Sequence, residues 1–249
     1  MTVQDVCLAM EALAPFATQE PWDNSGLLVG DPKAPVTGVL VTLDITAGAV
    51  ERAQQLSCNV IVSHHPVIFS PLKRLVSTSI PYMLAQAEMA AVCSHTPLDL
   101  AVMNDLLAEK LSEVLPVAKR EGFAEPGKLL TLSRPLSLLE IAQSAKEVLG
   151  CTSVRVSAPW DDEAQRIAIC TGAGASLLED CEGVADCLLT GDVKHDRWYK
   201  AQELGLGLID CGHYHTEILM VPYVAEKLRE ALPGVAVTEF VEEEPVAYI

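Results

Sequence analysis

The sequence of 249 residues predicts an α/β protein built from two similar lobes. Short apolar runs rich in β-branched residues alternate with helical patterns along the whole chain, which is typical of largely parallel sheets. In addition, four sequence blocks occur twice in the same order, as expected of an internal repeat. We therefore predict a first lobe over residues 1–124 and a second lobe over residues 125–249.

Each predicted lobe opens on a helix with a recognisable N-terminal signal. The segment VQDVCLAMEAL follows Thr2, and LLEIAQSAKEVL follows Ser137, both hydroxyl residues that favour the N-cap position. The spacing of apolar residues predicts a buried stripe on the first helix. That stripe consists of Val3, Val6, Leu8, Met10 and Leu13.

The repeated blocks align polar residues that follow the predicted strands. CNVIVSHHPVIF resembles ADCLLTGDVKHD, and AQAEMAAVCSHTPLD resembles AQELGLGLIDCGHYHTE. The second pair aligns His95 with His213 and Asp99 with Glu217. The helices that follow, AEKLSEVLP and AEKLREALP, match almost letter for letter. Glycine and proline in EGFAEPGK, residues 121–128, predict a linker between the lobes.

The composition excludes several classes of partner. The formal net charge is −17 and no basic patch is present, so nucleic acid and anionic membranes would repel the chain. No segment reaches the roughly 18 apolar residues that span a bilayer, and the N-terminus does not resemble a secretory signal. The eight cysteines form no C-x-x-C pair and are predicted to be buried thiols. We therefore predict a cytoplasmic protein.

All the histidines follow predicted strands, at the sheet edge where ligands bind in parallel sheets. In VIVSHHPVIF, two adjacent histidines would point to opposite faces if the strand continued. The strand is therefore predicted to end at Ser63, which leaves both rings in a turn. Such a pair suits two metal ions, with one histidine to each. The full set is His64, His65, His95, His195, His213 and His215.

Two H-x-x-x-acid units supply the remaining predicted metal ligands. In each unit a histidine follows a strand and a carboxylate enters the next helix, about one turn later. If the lobes face each other, these donors form one dinuclear site between them, suited to Zn, Mn, Fe, Co or Ni. A capping box with Thr96 as N-cap and Pro97 at the first helical position would also explain Asp99. The predicted ligands are His64, His65, Asp99, His213 and Glu217.

Other residues at this edge have predicted supporting or catalytic roles. His95 and Asp192 are candidates for orienting a ligand, although His95 could instead pin a loop and Asp192 could be a solvated loop residue. His195 and His215 are candidate acid/base or substrate-binding groups. Glu217 is a candidate for catalysis as well as for metal binding.

Two glycine-containing segments have alternative interpretations. TGAGAS, residues 171–176, could cradle a phosphate at the start of a helix, or it could be a plain glycine turn. Asp23 and Asn24 in PWDNSG could face the site or form an Asx turn. No G-x-x-x-x-G-K-[ST] loop is present, so a nucleoside triphosphate site of that kind is not predicted.

Over nearly its whole length the sequence resembles the NIF-three-like family of dinuclear metal-centre proteins, also known as GTP cyclohydrolase I type 2 homologues. The family's metal ligands carry over onto the five ligands predicted above. Pro97 stands where members commonly have a polar residue. The resemblance implies a paired-metal site between two lobes and a toroidal homohexamer with its sites facing an internal cavity. It rests on PWDNSGLLVGD (21–31), VTLDIT (41–46), VSHHP (62–66), SHTPLD (94–99), LLTGDVKHD (188–196) and DCGHYHTE (210–217).

Two bound metal ions would provide a hydroxide for hydrolysis and would clamp an oxyanion or phosphate. The leading prediction is a metal-dependent hydrolase that acts on a nucleotide or another phosphorylated small molecule. Ring opening of a guanine nucleotide is one form of this chemistry implied by the resemblance. The alternatives are a non-catalytic metal-binding or metal-handling hexamer and a regulatory scaffold that binds partner proteins.

Overall fold

The computed structural model describes residues 1–247, which form two compact units that contain one β-sheet each. Unit 1 comprises Met1–Ala101 and Met220–Glu243, and unit 2 comprises Val102–Leu219 together with residues 244–247. Both units combine a partly parallel sheet with helices. The predicted α/β class is therefore confirmed.

The strands are short, as is usual for α/β proteins. In chain order they are β1 (Gly26–Val29), β2 (Val39–Thr42), β3 (Val60–Ser63), β4 (Ala90–Cys93), β5 (Val117–Gly122), β6 (Lys128–Ser137), β7 (Arg155–Val156), β8 (Glu163–Ile169), β9 (Cys187–Thr190), β10 (Gly207–Asp210) and β11 (Val237–Glu239).

The helices alternate with these strands along most of the chain. They are α1 (Val3–Leu13), α2 (Ala47–Gln55), α3 (Ile80–Gln86), α4 (Thr96–Leu98), α5 (Asn104–Ser112), α6 (Leu138–Leu149), α7 (His195–Leu204), α8 (His213–Glu217) and α9 (Met220–Ala231). Short 3-10 turns cover Phe16–Thr18 and Gly174–Leu178, and a π-helical turn over Asp99–Met103 joins α4 to α5.

In unit 1 the strand order is β1-β4-β3-β2-β11. Strands β2, β3 and β4 are parallel and entirely buried, which explains their continuous apolar sequences. Their register aligns Thr42 with Ser63 and Ser63 with Cys93. All three strands therefore end at the same edge, and the polar residues that follow them lie side by side.

In unit 2 the strand order is β5-β6-β8-β9-β10-β7. Strands β8, β9 and β10 are parallel, whereas β5, β6 and β7 run antiparallel to their neighbours. Helix α6 packs on this sheet through Ile141, which is fully buried with Leu130 and Ile167. The pairing of Thr190 with Asp210 brings the carboxyl ends of β9 and β10 to one edge.

The segment predicted as an inter-lobe linker is the turn of a hairpin inside unit 2. Strands β5 and β6 pair on either side of it, from Gly122 opposite Lys128 onward. The Phe123 amide donates to the Gly127 carbonyl at 3.1 Å, and the Gly127 amide donates to the Ala124 carbonyl at 2.8 Å. Glycine and proline therefore mark a tight turn here, and the linker prediction is wrong.

The bounds of the units differ from the predicted division near residue 124. Helix α5 ends the first repeat in sequence, but it packs on α6 and β6 in unit 2. Helix α9 ends the second repeat, but it packs on β2, β11 and α1 in unit 1. Burial of each helix's apolar face determines its unit, and each repeat contributes its last helix to the other unit.

Helices α1 and α6 begin where the sequence predicts, directly after Thr2 and Ser137. On α1 the predicted stripe is wrong at Leu8, which is 56% exposed, while Cys7 is buried. All the cysteines are buried free thiols, as predicted. Among residues 1–247, every helix is too short or too polar to cross a bilayer.

Candidate metal centre

Strand β3 ends at Ser63, as the adjacent histidines require. The Ser63 hydroxyl donates to the His65 carbonyl at 2.9 Å, and the amides of His64 and His65 both donate to the Leu43 carbonyl at 3.2 Å. The chain therefore turns at once, and the two imidazole rings lie 4.9 Å apart between centroids. Neighbouring histidines can thus reach one place because the strand stops before them.

Three histidines of unit 1 form a group of potential metal donors. One ring nitrogen from each of His64, His65 and His95 lies within 4.8 Å of the others. Asp99 adds a carboxylate oxygen 3.6 Å from Nε2 of His64. His95 was predicted to orient a ligand or to pin a loop, but the structure places it within the donor group itself.

Each imidazole of this group has its Nδ1 atom beside an acceptor. A carbonyl or carboxylate oxygen can only accept, so Nδ1 carries the proton and Nε2 keeps its lone pair. This tautomer is the one that binds a metal through Nε2, and the acceptors fix the orientation of the rings. The three pairs are His64 with the Ser94 carbonyl at 3.0 Å, His65 with Asp44 at 2.8 Å and His95 with Asp23 at 2.9 Å.

Asp23 is held firmly on its side of His95. Besides the imidazole, its carboxylate accepts from the amide and hydroxyl of Thr96, at 3.0 and 2.6 Å, and from the Asn24 amide at 2.7 Å. Burial raises the pKa of Asp23, but the hydrogen bonds from Thr96 and His95 outweigh it, so this pKa is lowered. Burial also lowers the pKa of His95, and Asp23 only partly offsets this. Asp23 thus faces the histidine group, while the Ser25 amide that an Asx turn would use donates to Gln19 at 2.8 Å.

The capping explanation for Asp99 is wrong. Thr96 is already helical, the N-cap residue is His95, and no side chain caps this helix. The Thr96 hydroxyl instead donates to Asp23, which is 73 residues away in the sequence. Asp99 opens the π-helical turn, an irregularity that is frequent at functional sites. Capping therefore does not account for the carboxylate at this position.

In unit 2 the second H-x-x-x-acid unit forms a compact pair on α8. Nε2 of His213 lies 3.0 Å from Oε2 of Glu217, one helical turn further on. Nδ1 of His213 lies 2.9 Å from Oδ2 of Asp192, so carboxylates lie beside both ring nitrogens and fix the orientation of the ring. Asp192 was predicted either to orient a ligand histidine or to be a solvated loop residue, and it contacts His213.

The turn before α8 depends on close backbone approach. A Cβ atom on Gly191 would lie 2.6 Å from backbone atoms of Gly212 and His213. Asp192 has a φ of +50°, a conformation that aspartate adopts more readily than most residues. Gly191 and Asp192 occupy the place of His64 and His65 in the repeat, and they bring a carboxylate to His213.

The TGAGAS segment packs against Glu217. Gly172 has a φ of +60°, and a Cβ atom there would lie 2.1 Å from Oε1 of Glu217. The Gly172 amide donates to the Thr216 hydroxyl at 3.0 Å, and the Gly174 amide donates to the Thr190 hydroxyl at 2.8 Å. Because protein groups occupy these amides, the structure favours the glycine turn over the phosphate cradle.

His195 and His215 lie outside this arrangement in different ways. His195 is exposed at the first residue of α7, where its ring packs edge-on against Tyr199. His215 is buried on α8, with Nε2 at 3.5 Å from Oε2 of Glu244. Neither one joins a group of metal donors within residues 1–247. Their acid/base or substrate-binding roles stay predictions.

Sequence reasoning gave no role to Asp44 and Gly172, which position side chains of the candidate metal centre. Asp44 orients His65, and it lies two residues after β2 in the VTLDIT motif. The sequence signal for Asp44 was its position as a polar residue just after β2, the strand next to β3. Gly172 makes room for Glu217, but no sequence pattern indicates which side chain approaches a given glycine.

Comparisons with known proteins identify the family and the fold of the chain. The family model described as Duf34/NIF3 (NGG1p interacting factor 3) matches residues 1–245. A Clostridium acetobutylicum protein named GTP cyclohydrolase 1 type 2 homolog is 30% identical, covering 93% of this chain and 91% of the relative. A Helicobacter pylori protein named GTP cyclohydrolase 1 type 2 is 32% identical over 91% of both chains. The crystal structure of a Bacillus cereus protein related to NIF3 matches with a TM-score of 0.90 at 22% identity. The match covers 100% of this chain and 99% of the Bacillus cereus chain.

Proposed function

The chain belongs to the Duf34/NIF3 family, and on this basis we propose that it binds two divalent transition-metal ions and hydrolyses a nucleotide or another phosphorylated small molecule. The proposed ligands are His64, His65 and Asp99 of unit 1 and His213 and Glu217 of unit 2. Imidazole and carboxylate donors suit Zn, Mn, Fe, Co or Ni.

The observation that carries this proposal is the orientation of the imidazoles. Four histidines in the two units hold Nδ1 against an acceptor, which fixes each ring with Nε2 on the opposite side. A histidine that only pins a loop needs one such hydrogen bond, but it has no reason to gather other imidazoles around its second nitrogen. Acceptors behind metal-binding histidines fix the ring and raise the basicity of the ligand.

Two ions bound in this way would supply Lewis acidity and would lower the pKa of a bound water. The residues of the chain would then position the substrate and move protons. Asp23 holds Nδ1 of His95, so Nε2 of this ring would be the atom that accepts a proton from a bound substrate or water, and the Asp23 carboxylate would stabilise the charge that results. The Helicobacter pylori relative carries the name GTP cyclohydrolase 1 type 2, so GTP belongs among the first substrates to test.

Elemental analysis of the purified chain tests the metal part of the proposal. After Zn, Mn, Fe, Co and Ni are supplied separately, we expect about two ions per chain with the preferred metal. His65→Ala and Glu217→Ala should each lose bound metal and keep a wild-type circular dichroism spectrum. His195→Ala is the matched control, since that histidine is exposed and contacts Tyr199. Full occupancy in both ligand variants would contradict the assignment.

Turnover tests the hydrolase part separately. The metal-loaded protein should release product from GTP or from a phosphoester panel, and Glu217→Gln should lower kcat by roughly 100-fold or more. A protein that binds its metals fully but turns over none of these compounds would favour the metal-handling alternative.

The same family membership supports a toroidal homohexamer as the assembled form. Sedimentation equilibrium of the wild-type chain would give the mass of the assembly directly. A monomer or a dimer over a wide concentration range would contradict it.

A further inference from the structure

Two large aromatic side chains of unit 1 are unusually exposed. Trp22 has 57% of its surface accessible and Phe69 has 51%. Their ring centroids lie 6.0 Å apart with the planes inclined at 45°. Exposed aromatic surface is unfavourable in water, so a close pair of this kind commonly marks a binding site.

Both rings lie against the same histidine of the donor group. The Trp22 ring is 5.9 Å from the His95 ring at an interplanar angle of 73°, and the Phe69 ring is 6.2 Å away at 74°. His95 in turn lies 5.1 Å from His64 between ring centroids. The exposed aromatic pair therefore borders the histidines directly.

Hydrogen bonds hold the two loops that carry these rings. The Asn24 side-chain amide donates to the Ile68 carbonyl at 2.5 Å and so joins the segment of Trp22 to that of Phe69. Beside Asn24, Asp23 is fixed by Thr96 and His95. The backbone next to each ring is thus ordered before any ligand arrives, which lowers the entropic cost of binding.

We infer that Trp22 and Phe69 bind a planar heteroaromatic ring of the substrate, next to the histidine group. This inference rests on the proposed function, and it restricts the substrates to phosphorylated compounds that contain such a ring. A planar ring can stack on an aromatic face, as bases do in single-stranded nucleic-acid sites. A cationic ligand, the other common partner of aromatic rings, would be repelled by metal ions bound to the adjacent histidines.

Calorimetric titration with two probes tests the inference. Adenosine monophosphate and ribose phosphate share a sugar and a phosphate, but only the first has a planar ring. The wild-type chain should bind adenosine monophosphate about 10-fold or more tightly than ribose phosphate. Trp22→Leu and Phe69→Leu should each remove most of that preference while leaving ribose phosphate binding unchanged.

Trp160→Leu is the matched control, because Trp160 is 56% exposed but belongs to unit 2. It should keep the full preference. Equal binding of the two probes by the wild-type chain, no binding of either, or equal effects of Trp22→Leu and Trp160→Leu would overturn the inference. A lower sedimentation coefficient in Trp22→Leu with the preference intact would also overturn it, since the rings would then serve a second copy of the chain.

Metal content measured on the same samples separates this inference from the proposed function. A wild-type chain that holds its metals but shows no preference for the ring refutes the aromatic site alone. A chain without metal refutes the proposed function. In that case the preference for adenosine monophosphate, tested in the same variants, still decides whether the aromatic pair binds a planar ring.

Discussion

The turn after β3 in unit 1 and the turn after β9 in unit 2 occupy the same place in the internal repeat, but they carry different chemistry. The first presents His64 and His65, and a carboxylate from the end of neighbouring β2 orients the second ring. The other presents Asp192, which orients His213 at the end of neighbouring β10. In one unit the turn holds the donors, and in the other it holds the group that fixes a donor.

Despite this difference, both units retain an aspartate that is hydrogen-bonded to a histidine at a neighbouring strand end. Each unit pairs a histidine at one strand end with an aspartate at the end of the strand before it. The pair spans β2 and β3 in unit 1 but β9 and β10 in unit 2, which is one strand further along the repeat. Parallel strands in register make this shift possible, since all their carboxyl ends reach one edge. The positions of the polar residues can therefore change while the carboxylate–imidazole arrangement remains.

The largest expected effects come from the last helix of each repeat. Leu111 of α5 and Leu228 of α9 are aligned in the repeat and are almost completely buried. Leu111→Ala and Leu228→Ala should each lower the free energy of unfolding by about 2–5 kcal/mol. Native-state hydrogen exchange should rise mainly in unit 2 for the first variant and in unit 1 for the second. Leu139→Ala, at a 41% exposed residue, should change stability by less than about 0.5 kcal/mol.

If both leucine variants instead loosened the same unit, the assignment of the two helices to opposite units would be wrong. The two units would then coincide with the two sequence repeats.

A smaller but more local effect is expected at Gly172. Gly172→Ala places a Cβ atom against Glu217 and forces alanine into a left-handed conformation. It should cost roughly 2 kcal/mol or more of stability and lower the metal content. Gly205→Ala is the control, because Gly205 has a φ of +66° with open space around it. That variant should lose about 1 kcal/mol and keep its metal.

Metal loss of the same size in the two glycine variants would point to a general loss of structure. The specific packing of Gly172 against Glu217 would then not explain the effect.

The orienting carboxylates test the comparison directly. Asp44→Asn and Asp192→Asn keep the side-chain shape and remove the charge behind His65 and His213. Each should weaken metal binding by roughly 10- to 100-fold, as measured by competition with a chelator, with little change in thermal stability. Asp105→Asn, at a surface aspartate paired with Lys128, is the control. An effect of only one of the two substitutions would show that the units do not contribute equally.

The smallest effect is expected where each predicted lobe begins. Ser137 and Glu140 form a reciprocal capping box on α6, with the Glu140 amide donating to the Ser137 hydroxyl at 3.2 Å. Ser137→Ala should lower the free energy of unfolding by about 1 kcal/mol in urea denaturation. Thr2→Ala on α1 should cost less, because the Thr2 amide donates to Asp5 in either case.

Much of the fold could be predicted because its signals are local. The starts of α1 and α6 follow from hydroxyl residues before apolar stripes, and the end of β3 follows from two adjacent histidines. The position of the histidines at strand ends is likewise visible in the sequence. The metal ligands themselves remain a prediction, supported by the geometry within each unit.

What sequence reasoning missed depends on partners that are distant along the chain. Capping by the Thr96 hydroxyl was an alternative explanation for Asp99, but Asp23 offers that hydroxyl an acceptor distant in the sequence. The turn in residues 121–128 resembles a linker until the strands around it are known to pair. Gly172 is recognisable as a turn residue, yet only the folded chain shows Glu217 beside it. Each error reflects a tertiary contact that outweighs a local preference.

The exchange of the last helices also sets an order for folding during synthesis. Unit 2 comes almost entirely from one continuous stretch of the chain. Unit 1 combines the N-terminal part of the chain with a later segment, because β11 pairs with β2. A chain that leaves the ribosome from its N-terminus therefore exposes every strand of the unit 2 sheet before β11 of unit 1 emerges. Until the final segment emerges, β2 is an uncovered edge strand, the kind of surface on which nascent chains aggregate and chaperones act.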